Sequence, residues 1–254
     1  MQIILAPAKT MLDHVQRKID FATEPYFDAD ATEAAAEMAT YSVAELRDIF
    51  NVNPAIAMET WHYYQSFADR SSRLPAGLAY DGIVFKRLGF ESMSDDELRR
   101  ANRRVIICSF LYGLLRPLDL IKPYRMEGDV TLTCRGDGNM FDFWRDRLTR
   151  RLIDMVSADD GLLLNLASAE MQRLFDWRGV CRSVRVVSPS FKVIKEGRER
   201  SVTIYAKICR GAMTRFVLDN NIESAEGLEA FDYDGFAFDR YDKGGNPVFI
   251  KFES

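Results

Sequence analysis

The stretch Asp159-Asp160-Gly161 followed by LLLNLA, Leu162 to Ala167, constrains the fold more than any other part of the chain. A turn opens directly into an apolar run with no polar alternation, which fits a strand covered on both faces. Such a strand requires layers on either side of its sheet. MQIILA at the N-terminus reads as a second short apolar strand, and Val105 to Ser109 as a third.

Helices are marked by their ends. Ser42 with Glu45, and Ser94 with Glu97, form capping boxes that open helices Val43 to Phe50 and one carrying Arg99, Arg100, Arg103 and Arg104. Asn51-Val52-Asn53-Pro54 breaks the first of these before a helix of about Ala55 to Phe67, so residues 42–67 form a candidate helix-hairpin-helix. Ala31 to Ala39 is helical by composition, Phe141 to Val156 places Phe141, Trp144, Leu148, Leu152 and Met155 at helical spacing, and Lys207 to Asn220 is amphipathic. Ser168 caps a short helix. Val184 to Val187, Phe191 to Lys195 and Ser201 to Tyr205 read as strands with Glu196-Gly197 at a hairpin, and Gly235 to Arg240 with Pro247 to Phe252 form a last hairpin around Gly244-Gly245-Asn246. The expected class is α+β, a single mixed domain over residues 1–254 without the regular alternation of a doubly wound fold.

Composition agrees with a folded domain, at 47% apolar and 28% charged residues with no low-complexity tract. No apolar run approaches the ~18 residues of a membrane span, and the N-terminus lacks the basic start of a secretory signal, so a cytoplasmic location is expected. Cys108, Cys134, Cys181 and Cys209 are widely spaced with no CxxC, and His14 and His62 are the only histidines. Reduced, mostly buried thiols and no metal site or cofactor are therefore expected. Gly136 and Gly138 make a GxG without its third glycine, and no P-loop, HExxH or GxSxG occurs.

Charge is uneven along the chain. Gln172 to Arg215 holds eleven basic and three acidic residues, whereas Asp219 to Asp242 holds eight acidic residues against Arg240 alone, within a net charge of −4. Local potential of this kind attracts polyanions, unless the two blocks pair with each other. A second basic feature is LYGLLRPLDLIKPY, Leu111 to Tyr124, where Arg116-Pro117 and Lys122-Pro123 interrupt an apolar segment and stiffen it. The basic residues at element edges are the candidate phosphate ligands: Lys9, Lys86, Arg116, Arg125, Lys207, Arg210 and Arg215. Arg116 and Arg125 are expected on one wall of a cleft, facing Lys207, Arg210 and Arg215.

Four separated motifs in order, APAKT from Ala6 to Thr10, LYGLLRPLDLIKPYR from Leu111 to Arg125, NLAS from Asn165 to Ser168, and YAK with RG and RF across Tyr205 to Phe216, resemble the YaaA peroxide-stress protein family. The resemblance covers nearly the whole chain. It implies the family's cantaloupe-slice fold, a positively charged cleft, a helix-hairpin-helix that binds double-stranded DNA through phosphates and shape, and a role in limiting free iron and oxidative DNA damage. In the hairpin, Asn51 and Asn53 stand where glycines are usual, and Pro54 lacks an N–H. The competing expectation is an enzyme acting on a nucleobase, nucleotide or other phosphorylated small molecule in a pocket lined by Lys9, Arg116, Arg125 and Asn165, with Ser168, Glu170, Tyr112 and Asp119 as further candidates. A third is a scaffold that holds DNA-repair proteins through Asp219 to Asp242. A long groove with spread cations favours DNA, and a pocket on which they converge favours a small anion.

Overall fold

The three apolar runs become the centre of one sheet. In the computed structural model, which describes residues 1–253, β1 (Gln2–Leu5) lies between β3 (Val105–Ser109) and β6 (Leu162–Asn165), parallel to both and buried along its length. β7 (Arg185–Val187) extends the sheet in parallel beyond β6, and β4 (Gly113–Leu115) closes the other edge in antiparallel. β2 (Leu74–Pro75) and β5 (Leu120–Ile121) form a separate two-stranded ribbon. Helices run between the parallel strands. α1 (Asp28–Met38), α2 (Val43–Phe50), α3 (Pro54–Gln65), α4 (Ala76–Ala79), α5 (Ile83–Leu88) and α6 (Asp95–Arg104) lie between β1 and β3, α7 (Met140–Ser157) before β6, and α8 (Ala169–Gln172) and α9 (Trp177–Ser183) before β7.

The domain is mixed α and β as expected, without regular strand–helix alternation, but the strand order of its first sheet carries a feature the sequence did not mark. From β1 the chain moves to β3 on one side and then to β6 on the other, so a topological switch point lies beside β1. Crevices outside the carboxyl ends of strands at such a point are where open α/β sheets hold ligands.

The C-terminal part builds a second sheet in the order β10 (Asp232–Tyr233), β11 (Phe236–Tyr241), β12 (Pro247–Glu253), β8 (Ser190–Lys195), β9 (Arg198–Arg200), with β8 and β12 parallel. Glu196 and Gly197, at φ 52° and 73°, turn β8 into β9 as expected of a two-residue hairpin. The strand read at Ser201 to Tyr205 is instead the start of α10 (Thr203–Asp219). Val202, Thr203 and Ile204 favour extended backbone only weakly, and packing of the whole helix overrides them. Gly211 fixes that packing, because a Cβ there would stand 2.3 Å from the Val84 carbonyl oxygen, so α10 lies directly on α5. One buried core runs through both sheets, and Phe191, Phe231 and Phe249 pack against one another in its C-terminal part.

α2 and α3 pack against each other across a short turn, and Ser42 and Glu45 make both halves of the expected capping box. Asn51 takes the left-handed conformation at φ 47°, and the Asn53 side chain accepts the Ile56 N–H at 3.0 Å ahead of Pro54. The N–H groups of Asn51, Val52 and Ile56 are thus bonded within the hairpin itself. The hairpin also braces a cation: the Tyr64 phenol donates to the Arg125 carbonyl, and the Arg125 guanidinium lies 5.8 Å from the Phe50 ring centroid.

Candidate functional site

Loops leaving the carboxyl ends of β1, β3 and β6 converge on a cleft of about 520 Å³ at the switch point. Ala6 to Thr10 follow β1, Phe110 follows β3, and Leu166 and Ser168 follow β6. α5 closes one side through Val84 and Phe85, and α10 brings Lys207 and Arg210 over the top. Close backbone approach shapes the mouth. A Cβ on Gly82, which precedes α5, would come within 2.6 Å of the Ala8 Cβ, so a glycine lets the β1 loop lie against the start of that helix.

Of the seven predicted basic residues, four meet here: Lys9, Arg125, Lys207 and Arg210. Lys9 Nζ and Arg125 Nη2 both donate to Glu127 Oε1, at 3.0 and 2.9 Å, so two cations share one carboxylate oxygen. Arg125 Nε is buried and has no hydrogen-bond partner among the described residues. Arg210 is half-buried, and burial alone pushes its guanidinium pKa down, with no carboxylate among the described residues opposing it. An unpaired cation held partly out of water is costly to keep, and an anionic ligand would remove that cost. Ser168 and Glu170 complete the polar rim, and the Ser168 side chain makes no capping hydrogen bond to α8.

The other three lie elsewhere. Arg116 sits at the opposite, amino end of the sheet, where Nη1 donates to Gln2 Oε1 at 2.9 Å and to the Val105 carbonyl at 3.1 Å. Burial lowers its pKa to about 10, with the Asp119 carboxylate opposing. The expected wall of Arg116 beside Arg125 is therefore corrected: the segment between them carries the chain from one end of the sheet to the other, and Arg116 is a brace inside the fold. Lys86 projects from α5 beside a second cleft and pairs with Asp81 at 3.1 Å. Arg215 ties α10 to the end of α5, donating to Asp219 at 2.8 Å, to Ser92 Oγ at 3.1 Å and to the Gly89 carbonyl at 3.3 Å.

Asn165, Tyr112 and Asp119 are also internal. Asn165 donates to Ser188 Oγ at 3.1 Å and accepts the Ala167 N–H at 3.2 Å, turning the chain so that Ser168 reaches the rim. Tyr112 Oη accepts the Lys122 N–H at 3.1 Å, and Asp119 accepts the Arg116 N–H at 2.7 Å and the Thr23 hydroxyl at 2.6 Å. Lys122, the other cation of the Pro-interrupted segment, is buried and donates to Ser72 Oγ at 2.6 Å. Sequence reasoning missed Tyr124 and Glu127, which line the cleft. The signal was present, since they lie close to Arg125 in an extended segment whose neighbours reach the same cleft.

The basic and acidic blocks pair in part. Arg185 meets Glu226 at 3.3 Å, Arg240 meets Glu199 at 2.6 Å, and Arg215 meets Asp219. Among the described residues no group of three or more His, Cys, Asp or Glu could hold a metal ion, and no helix is long and apolar enough to cross a membrane.

Comparison with known proteins agrees with the motifs. The family model described as peroxide stress protein YaaA matches residues 1–242. A UPF0246 protein of Bacteroides fragilis is 47% identical over 239 residues, covering 94% of this chain and 93% of its own. Another UPF0246 protein, from Parabacteroides distasonis, is 43% identical over 253 residues, covering 99% and 100% of the two chains. One from Cereibacter sphaeroides is 33% identical over 259 residues, covering 99% of each. With a family model spanning nearly its full length and relatives matched end to end, the chain belongs to the peroxide stress protein YaaA family.

Proposed function

We propose that this protein serves the cytoplasmic response to peroxide by holding a phosphate-bearing ligand of nucleotide size in the cleft, on a fold we take to be the family's cantaloupe slice. The observation that carries this reading is the convergence of Lys9, Arg125, Lys207 and Arg210 on one concave site, with Arg210 lacking any carboxylate partner among the described residues. Volume supports it, because ~300–1,000 Å³ is the range of small-molecule sites. The lining supports it too: Phe85, Phe110, Met126 and Met171 give apolar walls beneath a cationic rim, and Glu127 and Glu170 would repel a run of phosphates.

Double-stranded DNA bound without sequence readout is the second reading, favoured by the exposure of Lys9 and Lys207 on the rim beside Arg125, which the α2–α3 hairpin braces. Protection of DNA against iron-driven damage would then follow directly from occupancy. The two readings separate on salt. Titrations of a nucleoside monophosphate and of a duplex, each at two salt concentrations, are the test. Duplex binding should lose about 0.9 log units of affinity per log unit of salt for each phosphate neutralised, whereas a pocket ligand loses only what its own one or two charges require. Pocket binding predicts saturable mononucleotide binding with a shallow salt slope. Steep salt dependence for the duplex, with no mononucleotide binding, would overturn it in favour of DNA.

A further inference from the structure

Two cations of the cleft are already engaged, and the carboxylate that engages them is only half used. Lys9 Nζ and Arg125 Nη2 both donate to Oε1 of Glu127, which holds the carboxylate in place. Oε2 of the same group has no hydrogen-bond partner among the described residues, yet it is not buried: the buried polar side-chain atoms left unpaired are Arg125 Nε and Arg135 Nε. An unpaired oxygen that is not buried is open to solvent. The Glu127 side chain keeps 32% of its surface exposed, beside a Lys9 side chain at 73%. Glu127, Lys9 and Arg125 all line the cleft, so this acceptor is reachable from it.

The charges then divide the cleft. Lys207 and Arg210 stand three residues apart on one face of α10, with no carboxylate paired to either among the described residues, and are left for a phosphate. Glu127 repels a phosphate and calls for a donor. In the chain it follows Arg125 of the rim and Met126 of the apolar wall, which puts it where the two meet. In a nucleotide, the part between phosphate and base is the sugar, and a carboxylate is what dinucleotide sites use to read a ribose hydroxyl.

Resting on the reading of the cleft as a phosphate-bearing ligand's site, we propose that Glu127 Oε2 accepts a hydroxyl of the ribose diol, making the ligand a ribonucleotide. Its phosphate lies on Lys207 and Arg210, and its base lies against Phe85, Phe110 and Met171. A sugar without that hydroxyl covers Oε2 and leaves it unsatisfied, which is the source of selectivity. Glu170, the other carboxylate of the rim, is exposed and has no cation holding it among the described residues, so it is too free to select. Duplex DNA has no 2′-hydroxyl and its 3′-oxygens are esterified, so Glu127 works against it.

The test titrates AMP, 2′-deoxyAMP and 3′-deoxyAMP into the full-length protein by calorimetry. In the wild type at least one deoxy form binds about tenfold or more weakly than AMP, the size of a hydrogen bond to a charged acceptor. The ratio is the readout, because freeing Lys9 and Arg125 alters the affinity for all three nucleotides alike. Glu127→Ala brings the ratio within about twofold, and Glu170→Ala leaves it as in the wild type. Should Glu127→Ala not fold, Glu127→Gln, which keeps the shape and loses the charge, cuts the ratio to about threefold. Equal binding of all three by the wild type, or a preference that both Glu127 variants leave intact, overturns the role of Glu127 and keeps the phosphate reading. A preference abolished by Glu170→Ala overturns it too. Failure of all three nucleotides to bind the wild type removes both.

Discussion

Individual side chains divide here into those that hold the fold and those that wait for a partner, and the division is not visible in charge alone. Arg116 and Arg210 are both arginines partly withdrawn from water, each with its pKa pushed down by burial. Arg116 spends its donors on Gln2 and Val105, so Arg116→Met should cost roughly 2–4 kcal/mol, as removing one partner of a buried network does, and leave ligand affinity unchanged. Arg210 has no such partner, and Arg210→Met should leave the melting temperature unchanged or raise it. That pattern marks a residue kept for function at the expense of stability. Thermal unfolding of the two variants checks the contrast, and a large loss of stability in Arg210→Met would contradict it. The cysteines supply a second prediction at this scale. Burial pushes all four thiols upward, Cys134 to about 11 and Cys209 to about 12, so none is a ready thiolate at neutral pH. Peroxide should leave them as thiols by intact-mass measurement on the time scale that oxidises an activated cysteine. Early sulfenylation of exposed Cys181 would show that the protein senses peroxide directly.

At the scale of elements, what the sequence made legible was whatever depends on local chemistry. Capping boxes at Ser42 and Ser94, the apolar strands, and the Glu196-Gly197 turn all lie where their residues put them. The start of α10 was misread because its stability comes from packing on α5, some 120 residues earlier, and no local pattern carries that. The same packing brings Lys207 and Arg210 to the cleft, and so Gly211→Ala is informative. Its new Cβ would meet the Val84 carbonyl, costing about 1–3 kcal/mol by overpacking and displacing both cations. Denaturant unfolding and ligand titration should change together. A second element is tied down by a carboxylate. Burial alone would push Glu37 of α1 up, but the backbone N–H groups of Cys134 and Thr133, at 2.8 and 2.7 Å, overcome it and hold the carboxylate pKa at about 2. Because the folded value lies below the unfolded one, this stabilisation is complete above the ordinary carboxylate range of about 4.5 and is lost as pH falls toward 2. Glu37→Gln should flatten the acid limb of a stability-against-pH curve over that window, and an unchanged limb would contradict the assignment.

For the molecule as a whole, the order of strands places the site. Three apolar runs align in parallel, the chain changes sides at β1, and the carboxyl ends at that point open a crevice that α5 and α10 roof over. Sequence reasoning found four of the cleft's cations because they are chemically conspicuous, but it placed Arg116 beside them. About ten residues of extended chain can cross a sheet from end to end, and their Arg-Pro and Lys-Pro steps look alike whichever end they face. Tyr124 and Glu127 escaped notice because their partners Tyr80 and Lys9 lie 44 and 118 residues away. The central claim is that the converging cations bind an anion of nucleotide size. Calorimetric titration of a nucleoside monophosphate into wild type and Lys207→Glu/Arg210→Glu tests it most directly. Saturable one-to-one binding that the charge reversal weakens by at least about 100-fold, in a variant that stays folded, is the predicted result, consistent with ~1.5–3 kcal/mol for each charge-assisted hydrogen bond removed. Equal affinity in the two proteins, or no binding by the wild type, would contradict it.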